Sequence, residues 1–293
     1  MARAASDLAV LIPHVDDLGV SHGANLAFAE LFGLGFVTCG SVMPPCAWFP
    51  EMALMAKERP ALDVGVHLTL TSESRACRWR PISTVSPASG LLDGDGYMWP
   101  DVPSLRRHAD AAAVETELRA QIEAAQGAGL DVTHLDTHMG AAAAPELAAI
   151  YAALGREYRL PVLLTRDSAS YDSVLPMGPV ERGFYDGLIA ELEGEGVPLV
   201  DRFAMGLAMR HLSCDEAFRQ MVRHAGPGIT FLSLHCNAPG DIEAMHPNDA
   251  AWRIAEYELL QKPDFLAWVA AQDVRLAGFR EIRDRYRGGL AKS

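Results

Sequence analysis

The sequence predicts an α/β fold: an irregular TIM-like (β/α) barrel of seven or eight mainly parallel strands in a single domain. Apolar, β-rich runs alternate along the chain with segments of helical periodicity, which is the pattern of parallel strands joined by crossover helices. The length of 293 residues suits one such barrel. No linker, internal repeat or low-complexity segment divides residues 1–293, so we expect one domain over the whole chain.

The first strand is expected at residues 8–12, followed by a helix at 21–33 and a strand at 36–42. A second helix at 50–59 closes at Pro60, which cannot continue it. The alternation then resumes with strands at 62–70, 132–138, 162–164, 198–200, 229–234 and 275–279, and with helices at 111–128, 145–158, 180–194, 214–225 and 248–271.

Residues 72–104 interrupt this rhythm with a long segment rich in Ser, Pro, Gly and Asp. A structureless segment of that length inside a compact domain is usually functional. We therefore interpret it as a lid or a substrate-binding loop.

Composition excludes several classes of partner. A formal charge of −13 and the absence of a Lys/Arg cluster argue against binding nucleic acid. The apolar runs are too short to span a bilayer, and residues 1–12 lack the features of a signal peptide, so we expect a cytoplasmic protein without a membrane partner. Five cysteines without a C-x-x-C pair argue against a disulfide framework. A cysteine nucleophile at Cys236, beside His235, is an alternative, although adjacent residues seldom form a pair of nucleophile and base.

Four predicted strands end in residues that can bind metal or handle protons, and a barrel brings such strand ends together. They are Asp16-Asp17, His67, the group His134, Asp136 and His138, and His235. A single strand-end histidine is more often structural, and an isolated Asp-Asp-Leu-Gly is more often a turn, but the coincidence of four ends favours a site. Two imidazoles and one carboxylate suit Zn²⁺ or another first-row metal, and Mg²⁺ if waters complete its shell.

The two adjacent carboxylates are expected to divide the work of such a site. Neighbouring side chains on an extended strand point in opposite directions. One of Asp16 and Asp17 would then face a metal and the other a reacting water.

These motifs resemble the YdjC/ChbG-like carbohydrate deacetylase family. The segments that carry the resemblance lie in the right order over almost the whole chain: HVDDLG, GVHLTLT, THLDTH, LSLHCNAPGD and RIAEYE. The resemblance implies a hydrolase of N-acetylated sugars that needs one divalent ion, Mg²⁺ or Zn²⁺, on an irregular barrel. Position by position, Asp17, His67 and His138 match the metal ligands, Asp16 the general base, and His235 the histidine near the leaving group.

The chain departs from the best-known branch of the family at three places. His14 replaces the usual asparagine of the first motif, and Met139-Gly140 follows the third motif in place of further histidines. Where the last histidine of that branch is followed directly by proline, Cys236-Asn237-Ala238 separates His235 from Pro239. These changes leave the metal triad intact but weaken any transfer of substrate identity. They indicate a side branch of the family.

Further residues are candidates to support the site or contact substrate. His134 and Asp136 are expected to orient the ligands, and Arg166 to steady Asp16 or a substrate oxygen unless it pairs with a neighbouring acid. Arg253 and Glu256, three apart on a helix, are expected to form a structural pair. The aromatic side chains of the long loop would stack on a sugar or pack on one another. They are Trp79, Tyr97 and Trp99.

The expected substrate is a small acetylated sugar or oligosaccharide, and a homodimer is one expected assembly. The competing hypotheses are a metal-dependent amidase of a non-sugar compound and a binding protein without catalysis. A binding site has no need of a free base, so the presence of Asp16 beside Asp17 favours an enzyme.

Overall fold

The computed structural model describes residues 8–167, 175–181 and 183–290. Within these ranges, seven strands pair in parallel. They are β1 (Ala9–Leu18), β2 (Cys39–Val42), β3 (Val64–Leu68), β4 (Leu135–Thr137), β5 (Arg202–Met205), β6 (Gly228–Leu234) and β7 (Val274–Leu276).

Helices connect and cover these strands. They are α1 (His22–Phe32), α2 (Phe49–Glu58), α3 (Val102–His108), α4 (Ala111–Gly127), α5 (Ala148–Tyr158), α6 (Asp186–Gly194), α7 (Cys214–Arg223), α8 (Ile242–Met245), α9 (Ala250–Leu260), α10 (Pro263–Ala270) and α11 (Phe279–Leu290). Short 3₁₀ turns lie at Pro87–Ser89, His138–Ala143 and Gly206–Met209. No helix among the described residues is long and apolar enough to cross a membrane.

The strand order is β4-β3-β2-β1-β6-β5, and β7 pairs with the start of β1. Single parallel bridges from Leu135 to Val162 and from Thr165 to Val200 carry the pairing from β4 towards the segment before β5. The sheet therefore curls into an irregular TIM-like barrel, and the predicted fold class is confirmed. The centre of this sheet is β1, whose ten residues are all buried, as expected for a parallel strand covered on both faces.

The local differences from the expected elements have identifiable causes. The strands expected at 162–164 and 198–200 are reduced to those single bridges, and the helix expected from residue 180 begins at Asp186. The last strand ends early because α11 begins at Phe279. The buried carboxylate of Asp63 favours that start, since it accepts a hydrogen bond from the Arg280 backbone N–H at 2.7 Å and so satisfies one of the free N–H groups of the helix terminus.

The long segment at 72–104 is anchored to the barrel by buried polar groups. The carboxylate of Glu117 on α4, which is fully buried, accepts hydrogen bonds from the backbone N–H groups of Ile82 and Ser83 at 3.1 and 2.8 Å. On the same helix, Gln121 bonds both the N–H and the C=O of Thr69, immediately after β3. These bonds fix both the loop and the chain that leaves β3.

Candidate active site

The two adjacent aspartates lie at a break in the regular structure of β1. The register between β1 and β2 shifts between Val15 and Leu18, and Asp17 has a left-handed φ of 63°. Such a conformation costs on the order of 1–3 kcal/mol and is found at functional sites. Because it interrupts the alternation of the strand, Asp16 and Asp17 line the same cavity. The expectation that they point in opposite directions is therefore wrong.

Three buried side chains that line this cavity lie close together, and the cavity has a volume of about 460 Å³. One carboxylate oxygen of Asp17, Oδ1, lies 3.4 Å from His67 Nε2 and 3.1 Å from His138 Nδ1. One ligand atom from each of the three residues lies within 4.8 Å of the others. The structure thus brings together the three residues that the sequence motifs single out as ligands.

The surroundings of the two imidazoles fit a divalent ion. The second ring nitrogen of His67, Nδ1, lies 2.9 Å from a carboxylate oxygen of Asp136, and Asp136 in turn accepts a hydrogen bond from the Ser41 hydroxyl at 2.8 Å. The second ring nitrogen of His138, Nε2, lies 2.9 Å from the carboxylate of Glu73. Metal-binding histidines are usually oriented through their other nitrogen in this way. The donor set and its supporting carboxylates therefore suit a metal, with Glu73 supplied by the long loop.

The electrostatics of the cluster match a site built for a cation. Burial disfavours the carboxylate of Asp17, but Arg253 and His138 hold its pKa well below the usual range. Burial also disfavours an imidazolium at His138, yet Glu73 and Asp17 raise its pKa to about 9. For His67, the carboxylate of Asp136 likewise outweighs burial and raises the pKa well above its usual range. Without a metal, the imidazoles of His67 and His138 are therefore both in the protonated, positively charged form at neutral pH.

Metal loading is consequently expected to release protons. A divalent ion must displace them from His67 and His138, so at pH 7.5 we expect about two protons to leave for each ion bound. Since fewer protons compete at higher pH, the affinity should rise as the pH increases towards about 9. Isothermal titration calorimetry in buffers of different ionisation enthalpy measures this release, and an enthalpy independent of the buffer would contradict it.

Asp16 is held by neighbours on its own strand and on β6. Its Oδ1 lies 2.6 Å from His14 Nδ1, and its Oδ2 accepts a hydrogen bond from the Ser233 hydroxyl at 2.7 Å. The imidazole Nε2 of His235 lies 3.8 Å from the same Oδ2. Burial and the nearby Arg253 guanidinium lower the pKa of His235 to about 4. His235 is therefore neutral at rest, not a standing proton donor.

Arg253 is the main site residue that the sequence interpretation missed. Its guanidinium is buried and donates to Asp17 Oδ2 at 2.7 Å, so the expected structural pair with Glu256 is wrong. The carboxylate of Glu256 instead accepts hydrogen bonds from the backbone N–H of His235 at 2.7 Å and from the indole N–H of Trp252 at 2.8 Å. Helical spacing alone could not reveal that a carboxylate from β1 would face Arg253. The signal available in the sequence was that Arg253 belongs to the RIAEYE motif, one of the segments that carry the family resemblance.

Arg166 and Trp99, two of the other candidates, do not line the cavity. Arg166 forms ion pairs with Glu193 and Asp201 at the surface, which is the alternative left open for it. The indole N–H of Trp99 donates to the Gly90 carbonyl, and its ring stacks on that of His108.

The other loop aromatics also contact protein groups. The indole of Trp79 is buried, donates to the Thr71 carbonyl and contacts the His138 ring edge-on. The ring of Tyr97 lies beneath the guanidinium groups of Arg78 and Arg80. These contacts match the alternative in which the loop packs on itself. The loop contributes Glu73, and no aromatic ring, to the lining of the cavity.

Together, the fold and the site define a class of protein. It is an irregular α/β barrel in which two histidines and one aspartate cluster at the strand ends. The chain belongs to the YdjC-like family, since the family model described as YdjC-like protein matches residues 10–271.

Relatives and a solved structure extend the comparison. The chain is 36% identical over 259 residues, 87% of each chain, to a protein of Thermus thermophilus named carbohydrate deacetylase. A Geobacillus stearothermophilus protein of the same name is 28% identical over 273 residues, 92% of this chain and 97% of that one. A crystal structure from Enterococcus faecalis, of a protein whose name proposes cellobiose-phosphate cleavage, has a TM-score of 0.78 at 22% identity and covers 94% of this chain and 99% of that chain. At that identity the likeness shows the fold alone.

Proposed function

We propose that this protein is a metal-dependent hydrolase that removes the acetyl group from an N-acetylated carbohydrate. The observation that carries the proposal is the convergence of Asp17, His67 and His138 beside the carboxylate of Asp16 in one cavity. The relatives named carbohydrate deacetylase support the substrate class. The three converging residues would hold one divalent ion, Mg²⁺ or Zn²⁺, and a bound ion of this kind polarises a carbonyl and lowers the pKa of water.

Asp16 is the proposed general base. It lies beside the three donors without belonging to that set, and it lines the cavity. The hydrogen bonds from His14 and Ser233 hold one oxygen each, and every carboxylate oxygen keeps a second lone pair. Asp16 is therefore held in one orientation and can still accept the proton of a water that attacks the acetamide carbon.

The same proton must reach the leaving nitrogen. As the new C–O bond forms and the C–N bond breaks, the amine takes up the proton released by water, which leaves acetate and a free amino sugar. His235 lies close enough to Asp16 to take part in this transfer. An imidazole with a pKa of about 4 is rarely protonated, but once protonated it is a strong acid. We assign His235 to this transient donor role.

The walls of the cavity suit a small acetylated sugar. Its lining includes apolar side chains, which would cover a methyl group and the C–H face of a pyranose ring, and the polar side chains of Arg210, His246 and Asp249. The apolar lining residues include Leu163, Leu175, Phe203, Met205 and Leu207. A volume of about 460 Å³ lies in the range of small-molecule sites.

An acetate-release assay tests the proposal. The protein is supplied in turn with Mg²⁺, Zn²⁺, Mn²⁺ and Co²⁺ and is given N-acetylated monosaccharides and short oligosaccharides, with N-acetyl amino acids as the non-sugar arm. We expect equal amounts of acetate and free amino sugar. Turnover of the amino-acid arm alone would indicate a non-sugar amidase, and binding without turnover of any compound would indicate a non-catalytic relative.

A further inference from the structure

We propose that His14 is a positioning residue that fixes the orientation of Asp16, and that His134 fixes the orientation of His14 in turn. The importance of Asp16 rests on the proposed function. The arrangement of the two histidines rests on the contacts described below.

The three side chains form a continuous line of hydrogen-bonding groups. His14 Nδ1 lies 2.6 Å from Asp16 Oδ1, and His14 Nε2 lies 2.8 Å from His134 Nε2. At the far end, His134 Nδ1 lies 3.0 Å from the Thr133 hydroxyl. Every ring nitrogen of the two histidines therefore has a partner at hydrogen-bonding distance.

Packing holds both rings in place. His14 and His134 are fully buried. The His134 ring stacks on Phe279 with centroids 4.0 Å apart, and it fills the space that a side chain at Gly65 would occupy, since a Cβ there would lie 2.5 Å from the ring. The His14 ring lies 4.7 Å from that of Phe231. The barrel interior is thus shaped around this pair.

The partners decide where the protons lie. A carboxylate only accepts hydrogen bonds, so His14 Nδ1 must donate to Asp16. Burial holds the pKa of His134 well below its usual range, which makes that ring neutral with a single proton. One proton lies between the two facing Nε2 atoms, and the Thr133 hydroxyl can donate to or accept from His134 Nδ1 as required.

The pair is better explained as a support for Asp16 than as a second metal site with Asp136. Two nitrogens that bind one Zn²⁺ at tetrahedral angles lie about 3.3 Å apart. The 2.8 Å between His14 and His134 is instead a hydrogen-bond distance.

Two substitutions at His14 separate its two contacts. The amide nitrogen of asparagine can take the position of Nδ1, so His14→Asn keeps a donor to Asp16 and loses the contact to His134. The amide of glutamine reaches the position of Nε2, so His14→Gln keeps the contact to His134 and loses the donor. The matched control is His224→Gln. His224 is exposed and lies directly after the C-terminal end of α7.

We expect His14→Gln to lower kcat by roughly 10- to 100-fold with unchanged KM and metal content, since small misplacement of a reacting group has effects of this size. The kcat of His14→Asn should stay within about fivefold of the wild-type value, and the kcat of His224→Gln should equal the wild-type value. Equal losses in both His14 variants, or no loss in His14→Gln, would overturn the proposal.

A measurement on the wild-type protein does not depend on how the variants fold. Two-bond ¹⁵N–¹H correlation spectra report which ring nitrogens carry protons, and ring-to-backbone correlation spectra of the labelled wild-type protein assign the His14 signals. We expect a proton on His14 Nδ1, and a bare Nδ1 would overturn the proposal. If the wild type releases no acetate from any substrate, the proposed function fails while this spectrum still decides the contact between His14 and Asp16.

Discussion

Replacing Asp16 with asparagine is expected to lower kcat by roughly 10²- to 10⁴-fold, the contribution typical of a general base, while leaving the metal content unchanged. Asparagine has the shape of aspartate but cannot take up the proton of the attacking water. The substitution leaves Asp17, His67 and His138 unchanged, so the ion proposed to bind there should still bind. Acetate release gives kcat, and elemental analysis of the purified variant gives the metal content.

The control for this substitution is Asp95→Asn, because the Asp95 side chain is 82% exposed on the long loop. It should have wild-type kcat and metal content. A kcat for Asp16→Asn above about a tenth of the wild-type value would remove Asp16 from the role of base. Loss of metal from Asp16→Asn would instead place it among the ligands.

Replacing either histidine ligand with alanine is expected to abolish stable metal binding. Loss of an orienting partner alone typically lowers the affinity for the metal by 10- to 100-fold, so loss of a ligand should lower that affinity by more than roughly 100-fold. His67→Ala and His138→Ala should therefore be purified with little metal and should show no acetate release above background. Asp136→Asn, which leaves His67 in place without its carboxylate partner, should show the smaller effect.

A third histidine of the cavity provides the comparison for these variants. His246 lines the same space, 4.0 Å from Glu73, but does not belong to the candidate ligand set. His246→Ala should keep its metal. Metal content equal to wild type in His67→Ala or His138→Ala would rule out that residue as a required ligand.

The barrel and the meeting of its strand ends could be predicted from the sequence because both depend on local pattern. Apolar runs alternating with helical periodicity specify parallel strands, and parallel strands place their carboxyl ends at one edge. Asp17, His67 and His138 each lie at or near the end of such a run, and the structure places them together. The spacing between motifs was not needed for this inference.

The direction of individual side chains could not be predicted in the same way. The left-handed backbone of Asp17 lies where the register between β1 and β2 shifts, and the rule of alternating faces failed there. Arg253 was paired with Glu256 on helical spacing, but its partner is Asp17, which is 236 residues away in the chain. Contacts between distant elements leave no periodic signal in one sequence.

The long loop illustrates the same limit. Its composition indicated a functional segment, and its aromatic residues suggested sugar stacking. In the structure Trp79 and Trp99 use their indole N–H groups within the loop region, and Glu73 is the residue that reaches His138. A lone glutamate carries no mark of such a role, because charged residues are common in any exposed loop.

The central claim is that a metal held by Asp17, His67 and His138 is required for deacetylation. The most direct test prepares the protein free of metal, returns one ion in increasing amounts, and measures acetate release from an N-acetylated sugar at each step. We predict no release without metal and a rise that ends at one ion per chain. Full acetate release by the metal-free protein, or a rise unchanged in His138→Ala, would contradict the account.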